Sequence, residues 1–208
     1  MESAERGRKA IDLSALETLL KHVEAAAPSR DQDVEPAVVF LLLFGETEPH
    51  LMAVLKTDTK GYPWRNQVAF PGGHIDQGDS SPEDAAFREL EEELGIRRSQ
   101  VRLIGSLGHF QTINKREIQV FTGIWDGNGP IRFDPSEISR VFSIPLKELL
   151  HIHHDRRYHG RIPSVGELIY PYQDLVIWGL TGRIIHFLLE QFYPHFIKPD
   201  PPAGSGLE

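Results

Sequence analysis

Ser81-Pro82-Glu83-Asp84-Ala85-Ala86-Phe87-Arg88-Glu89-Leu90-Glu91-Glu92-Glu93-Leu94, closed by Gly95, carries every local signal of one helix. Ser81 is a capping residue and Pro82 suits the first helical position, where its missing N–H costs nothing. Glu83 and Asp84 sit at the positive end of the dipole, and Gly95 supplies the stop. Phe87, Leu90 and Leu94 recur at i, i+3 and i+7, so this stripe faces a core and fixes where the other side chains point.

Glu89, Glu92 and Glu93 then share another face at i, i+3 and i+4. Crowded like charges disfavour an isolated helix by about 0.2–0.5 kcal/mol per neighbouring pair, and a divalent cation converts that repulsion into coordination. Oxygen donors without His or Cys select Mg²⁺, with Mn²⁺ as a substitute, and Mg²⁺ keeps water and phosphate in its remaining positions. A solvated acidic face is the alternative reading of any such run. Immediately upstream, Pro71-Gly72-Gly73 permits close approach of backbone to a ligand, and Gly72 offers its carbonyl to the same ion.

Working outward, Ser14 and Glu17 form a possible capping box ahead of Leu16, Leu19, Leu20 and Val23, which predicts a short amphipathic helix. The apolar run Ala37 to Phe44 predicts a buried strand and Leu51 to Leu55 a second one, with Gly45 to Pro49 as the turn between them. Lys56 to Arg65 reads as a polar loop. Lys56, Arg65, Tyr62 and Trp64, together with Gly73, are candidates to grip a phosphate or stack on a base. Gln67 to Phe70 reads as a short strand stopped by Pro71 and the two glycines. Val101 to Phe110, Ile118 to Trp125 and Leu168 to Tyr172 read as strands, Ser143 to His151 as a short helix, and Ile177 to Leu180 leads into a final helix. Trp178 and Phe187 are expected in the core. His151, His153, His154 and His159 lie among Arg156, Arg157 and Arg161. That loop is open to three readings, as a metal cluster, a phosphate-binding surface, or a solvated or dimer-facing loop, and no carboxylate spacing downstream completes a metal site.

A chain of 208 residues with 40% hydrophobic content is long enough for one domain with a full core and too short to expect two. The expected division is a helix and linker over 1–35, the main domain over 36–195 and a flexible tail over 196–208. A net charge of −8 argues against broad attraction to nucleic acid or anionic membranes, so a charged small substrate needs a metal or a local basic patch. The absence of cysteine removes disulfides, thiolate metal sites and a cysteine nucleophile. No apolar run is long enough for a membrane span and no export signal opens the chain, so a soluble, cytoplasmic protein is expected.

Gly73-x5-Asp79-x8-Arg88-Glu89-Leu90-Glu91-Glu92-Glu93-Leu94-Gly95-Ile96 resembles the Nudix box, Gly-x5-Glu-x7-Arg-Glu-apolar-x-Glu-Glu-x-Gly-apolar. It departs in two ways, with Asp79 where glutamate is usual and one extra residue before Arg88. Both departures are similar to the coenzyme A pyrophosphatase-like branch. Likeness to that branch extends to Gln67 to Asp76, Glu137 to Leu149 and Leu175 to Ile184. The branch's upstream coenzyme A signature is replaced here by Leu55 to Lys60 and Trp64-Arg65-Asn66.

The resemblance implies an α/β fold, a Nudix-type α/β/α sandwich with a mixed central sheet and a loop-helix-loop catalytic box. It implies a hydrolase in which Glu89, Glu92 and Glu93 hold Mg²⁺ while water attacks a phosphoanhydride of a nucleoside diphosphate derivative. Coenzyme A-like substrates come first, then ADP-ribose, dinucleotides or nucleotide sugars. A box glutamate or the loop carboxylate of Glu137 takes the water proton, Arg88 orients its neighbouring carboxylates, and a homodimer is expected. A non-catalytic nucleotide sensor and an RNA-end hydrolase are the competing readings.

Overall fold

The computed structural model describes residues 12–28, 36–60, 64–112 and 116–196. In chain order its elements are α1 (Leu13–Leu20), β1 (Ala37–Phe44), β2 (His50–Lys56), β3 (Val68–Ala69), β4 (Gly72–His74), α2 (Pro82–Leu94), β5 (Val101–Gln111), β6 (Glu117–Trp125), β7 (Ile138–Pro145), α3 (Leu146–Asp155), β8 (Tyr170–Tyr172), β9 (Leu175–Ile177) and α4 (Gly179–Phe196). None of the described helices is long and apolar enough to cross a membrane.

β1 is the centre of the sheet because both of its faces are apolar. Val38, Phe40 and Leu42 join the core beneath α2, together with Phe87, Leu90 and Leu94. The alternate residues Leu41 and Leu43 join the core beneath α1, α3 and α4. Period-two alternation therefore distributes one uninterrupted hydrophobic run between two cores and produces the three layers. Burying Phe87, Leu90 and Leu94 stabilises the α2 layer by about 1.5–3 kcal/mol per side chain.

The sheet is mixed. On one edge β1 runs parallel to β6 from Ala37 to Leu43, and β6 pairs antiparallel with β5. On its other edge β1 is shared, pairing with β4 over Ala37 to Val39 and with β2 over Leu42 to Phe44. β2 then leaves β1 to pair with β3, while β7 covers its far edge. Residues 68–74 thus fill the opening where β1 and β2 part, and that insertion carries the glycine loop to the flank of α2. Gly72 and Gly73 consequently extend the sheet, although the sequence reads them as the end of a strand.

Other expectations need correction. α1 is capped by Asp12, whose carboxylate accepts the Ala15 N–H at 2.7 Å, and Glu17 pairs instead with Lys21 at 2.8 Å and with Arg102. The predicted helix Ser143 to His151 begins only at Leu146, because the alternating segment before it pairs with β2 and Pro145 ends that strand. Trp178 is 43% exposed. Ile177 turns inward, and strand alternation sends its neighbour outward. Phe187 does pack, edge-on to Phe110 at 5.4 Å between centroids. Residues 29–35, Tyr62 and the tail after residue 196 lie outside the described residues.

Candidate active site

Local chemistry sets the angle of α2. The Ser81 hydroxyl accepts the Asp84 N–H at 3.1 Å, Pro82 opens the helix, and Gly95, at φ +68°, closes it with its N–H on the Glu91 carbonyl. The Phe87 ring lies 5.0 Å from that of Phe40 on β1. With the stripe so anchored, Glu89 and Glu93 face the glycine loop and Glu92 points outward, its side chain 59% exposed.

Two glycines make that approach possible. A Cβ at Gly72 would lie 2.7 Å from the Val39 Cα, and one at Gly73 would lie 2.6 Å from the Glu89 carboxyl carbon. The Gly72 amide donates to Glu93 Oε2 at 3.3 Å, and Lys56 Nζ meets Glu93 Oε1 in an ion pair with both side chains buried. Lys56 therefore does not belong to the polar loop assigned to it from sequence; it is the last residue of β2 and its ammonium serves Glu93. Gly72 meets the box through its N–H.

Arg88 organises the other flank. Its Nε and Nη2 donate to the two Asp79 oxygens, both at 3.0 Å. Its Nη1 reaches Glu89 at 2.9 Å and Glu92 at 3.0 Å, and Nη2 also donates to the His74 carbonyl at 3.0 Å. The bidentate pair shows that Asp79, shorter than glutamate by one methylene, still closes on the arginine with the extra residue in place. Arg88 lowers the Asp79 pKa through this bond, and Asp79 in turn raises that of Arg88.

Burial raises Glu89 and Glu93 above the usual carboxylate range, and it outweighs Arg88 beside Glu89 and Lys56 beside Glu93. When all are ionised, the five carboxylates of Asp76, Asp79, Glu89, Glu92 and Glu93 face the two cations Arg88 and Lys56, leaving three negative charges uncompensated. An all-oxygen donor set with that surplus fits a hard divalent ion such as Mg²⁺. Coordination would also reverse the burial effect on Glu89 and Glu93, since a bound dication favours the carboxylate form.

The remaining candidates are spread around this centre. Arg65 is exposed, 3.9 Å from Asp58. The Glu137 carbonyl accepts the Thr57 N–H at 3.0 Å, which places its backbone one residue from Lys56, while its exposed side chain makes no bond to the box among the described residues. Sequence reasoning missed Arg116. It lies over the Trp64 ring at 5.5 Å and reaches His74 Nε2 at 3.2 Å, so it brings a cation to the rim of the box loop. Nothing local marks it, because the hairpin between β5 and β6 delivers it.

This fold and this box define a class. The NUDIX domain matches residues 34–163, more than half of the chain, and the chain belongs to that family. It is 36% identical over 127 residues to an uncharacterized Nudix hydrolase, NudL, of Escherichia coli K12, an alignment covering 60% of this chain and 66% of that protein. The crystal structure of a MutT/nudix family protein from Enterococcus faecalis superposes with a TM-score of 0.50 at 15% identity, covering 88% of this chain and 70% of that one, and supports the fold.

Proposed function

We propose that the chain is a Mg²⁺-dependent hydrolase of the phosphoanhydride linkage in a nucleoside diphosphate derivative, with coenzyme A-like molecules as the first substrate class. The observation that carries the reading is the charge surplus of the box, held against a glycine loop with no room for side chains. Glu89, Glu92 and Glu93 would hold the ion, with the Gly72 carbonyl as a further donor. When bound, Mg²⁺ or Mn²⁺ would neutralise the diphosphate and acidify a water. The chain's own residues do the rest. Asp79 fixes Arg88, Arg88 aims Glu89 and Glu92, and Lys56 with the Gly72 amide holds Glu93.

Water oxygen forms the new bond to phosphorus, the bridging P–O bond breaks, and a phosphate monoester leaves. The water proton goes to a box glutamate, with Glu89 the candidate because its carboxylate stands against Gly73. Glu137, in the turn just before β7 and close to Lys56 in the backbone, is the alternative acceptor. Arg65 and Arg116 stand on the rim as phosphate contacts, and Gly73 lets the substrate reach the carboxylates. Likeness to the coenzyme A pyrophosphatase-like branch over Gln67 to Asp76 supports the first substrate class.

The test is product analysis with Mg²⁺ on coenzyme A, ADP-ribose, NADH, dinucleoside polyphosphates and nucleotide sugars. Cleavage of coenzyme A into two phosphorylated products supports the full reading. Cleavage of another class alone removes the coenzyme A assignment and keeps the hydrolase. A homodimer, expected from the family, predicts sedimentation at twice the chain mass at micromolar concentration.

A further inference from the structure

On the face of the sheet opposite α2, the histidine-rich loop meets a carboxylate absent from its own neighbourhood in sequence. His153 at the end of α3, His159 in the following loop and Glu190 on α4 bring one ligand atom each to within 4.8 Å of one another, the only such trio among the described residues. His153 Nε2 lies 2.7 Å from Glu190 Oε1 and His159 Nδ1 lies 3.2 Å from the same oxygen. The Gly160 N–H donates to Glu190 Oε2 at 3.1 Å, which fixes the carboxylate plane. The sequence reading found no carboxylate to complete a metal site; α4 supplies it.

We infer that His153, His159 and Glu190 form a second divalent-metal site, of a kind that takes a borderline transition ion such as Zn²⁺ in place of the hard ion of the box. Two imidazole nitrogens and one carboxylate oxygen match the donor preference of Zn²⁺ or Co²⁺ and offer little to Mg²⁺. Binding replaces the hydrogen bond between His153 and Glu190 with bonds from both to the ion. The imidazole proton moves to His153 Nδ1, where the Tyr170 hydroxyl oxygen, 3.0 Å away, accepts it. That outer partner fixes the ring, as metal-bound histidines require. The His153 side chain is fully buried, so its ring is held in place by its surroundings before any ion arrives.

A separate observation points the same way. The His186 ring lies 5.1 Å from that of His153, the residue is nine-tenths buried, and its Nε2 has no hydrogen-bond partner among the described residues. A buried polar atom left unpaired is unfavourable, and a water bound to a nearby ion would relieve it. His186, Gly160 and Glu190 also line a cavity of about 510 Å³, so the Glu190 side of the site borders space that water can enter. Three protein ligands with one open position is the arrangement of reactive rather than purely structural zinc sites.

The test uses full-length, tag-free, chelator-stripped protein titrated with Zn²⁺ and, for its visible spectrum, with Co²⁺. With Mg²⁺ in excess to occupy the box, one tightly bound equivalent of Zn²⁺ or Co²⁺ per chain is expected in the wild type and in the box variant Glu92→Gln. Affinity should fall by more than about tenfold in His159→Ala and in Glu190→Gln. His159 is exposed and Glu190→Gln is isosteric, so at least one variant keeps the fold, verified by its circular dichroism. Absence of binding to the wild type, or equal affinity in both variants, overturns the inference. Loss of the equivalent in Glu92→Gln alone assigns the ion to the box and also overturns it.

Discussion

The box on α2 and the histidine cluster between α3 and α4 resolve the same problem, charge held close to a core, in opposite ways. At the box, five carboxylates meet two cations and a negative surplus persists. At the cluster, one carboxylate is closed by two histidines and a backbone amide. The first arrangement carries a surplus that a dication would balance, whereas in the second the single carboxylate is satisfied by hydrogen bonds alone. A charge deficit is therefore the stronger sign of a resident metal, and convergent geometry the stronger sign of an optional one.

Breaking the buried pair of the box should have the largest effect on stability. Lys56→Met leaves Glu93 buried without its cation and should cost about 3–5 kcal/mol in urea unfolding. The double variant Lys56→Met with Glu93→Leu should regain most of that loss. A small effect of Lys56→Met would show that Glu93 is already neutral.

The cluster should instead reveal itself through pH. In metal-free protein His153 has its folded pKa depressed to about 4 from 6.5. The unfolded chain takes up a proton that the folded one refuses, so stability is complete above about pH 6.5 and falls as pH drops towards 4. The loss approaches about 3 kcal/mol. Glu190, also depressed, adds a further loss below its ordinary value of 4.5. The Tyr170 hydroxyl, Tyr158, His159, His186 and Tyr193 face the same ring. Denaturation midpoints between pH 7 and 4 should therefore decline in the wild type and flatten in His153→Gln; a flat wild-type profile would remove the burial argument.

Smaller effects separate the frame from the chemistry. Ser81→Ala and Asp12→Ala should each cost about 1 kcal/mol by loss of an N-cap. Ser14→Ala, inside α1, should stay within about 0.5 kcal/mol. Thermal melting of the three variants distinguishes the caps, and equal losses at Asp12 and Ser14 would restore the capping box read from sequence.

Legibility follows the range of the interaction. The bounds of α2 and β1 were readable because Ser81, Pro82, Gly95 and the run Ala37 to Phe44 act on their own neighbours. The motif marks Asp79 and Arg88 as box positions, but their pairing across a turn of loop and half a helix, with the shorter aspartate and one extra residue, is seen only in the fold. The strand Ile138–Pro145 was not readable, since its alternation is decided by β2, far upstream. Lys56 reads as solvated by composition and is buried only because α2 brings Glu93 to it. Glu190 is 37 residues from His153, and no spacing rule joins two helices that meet only in the folded core.

Mg²⁺-dependent release of two phosphorylated products, measured side by side for the wild type and Glu92→Gln, bears most directly on the box as a metal-dependent hydrolytic centre. Glu92 is exposed, so its variant tests chemistry without disturbing the core. Turnover should require the metal and fall by about 10²–10⁴-fold in the variant. Turnover that survives chelation, or that is unchanged in Glu92→Gln, would contradict the account.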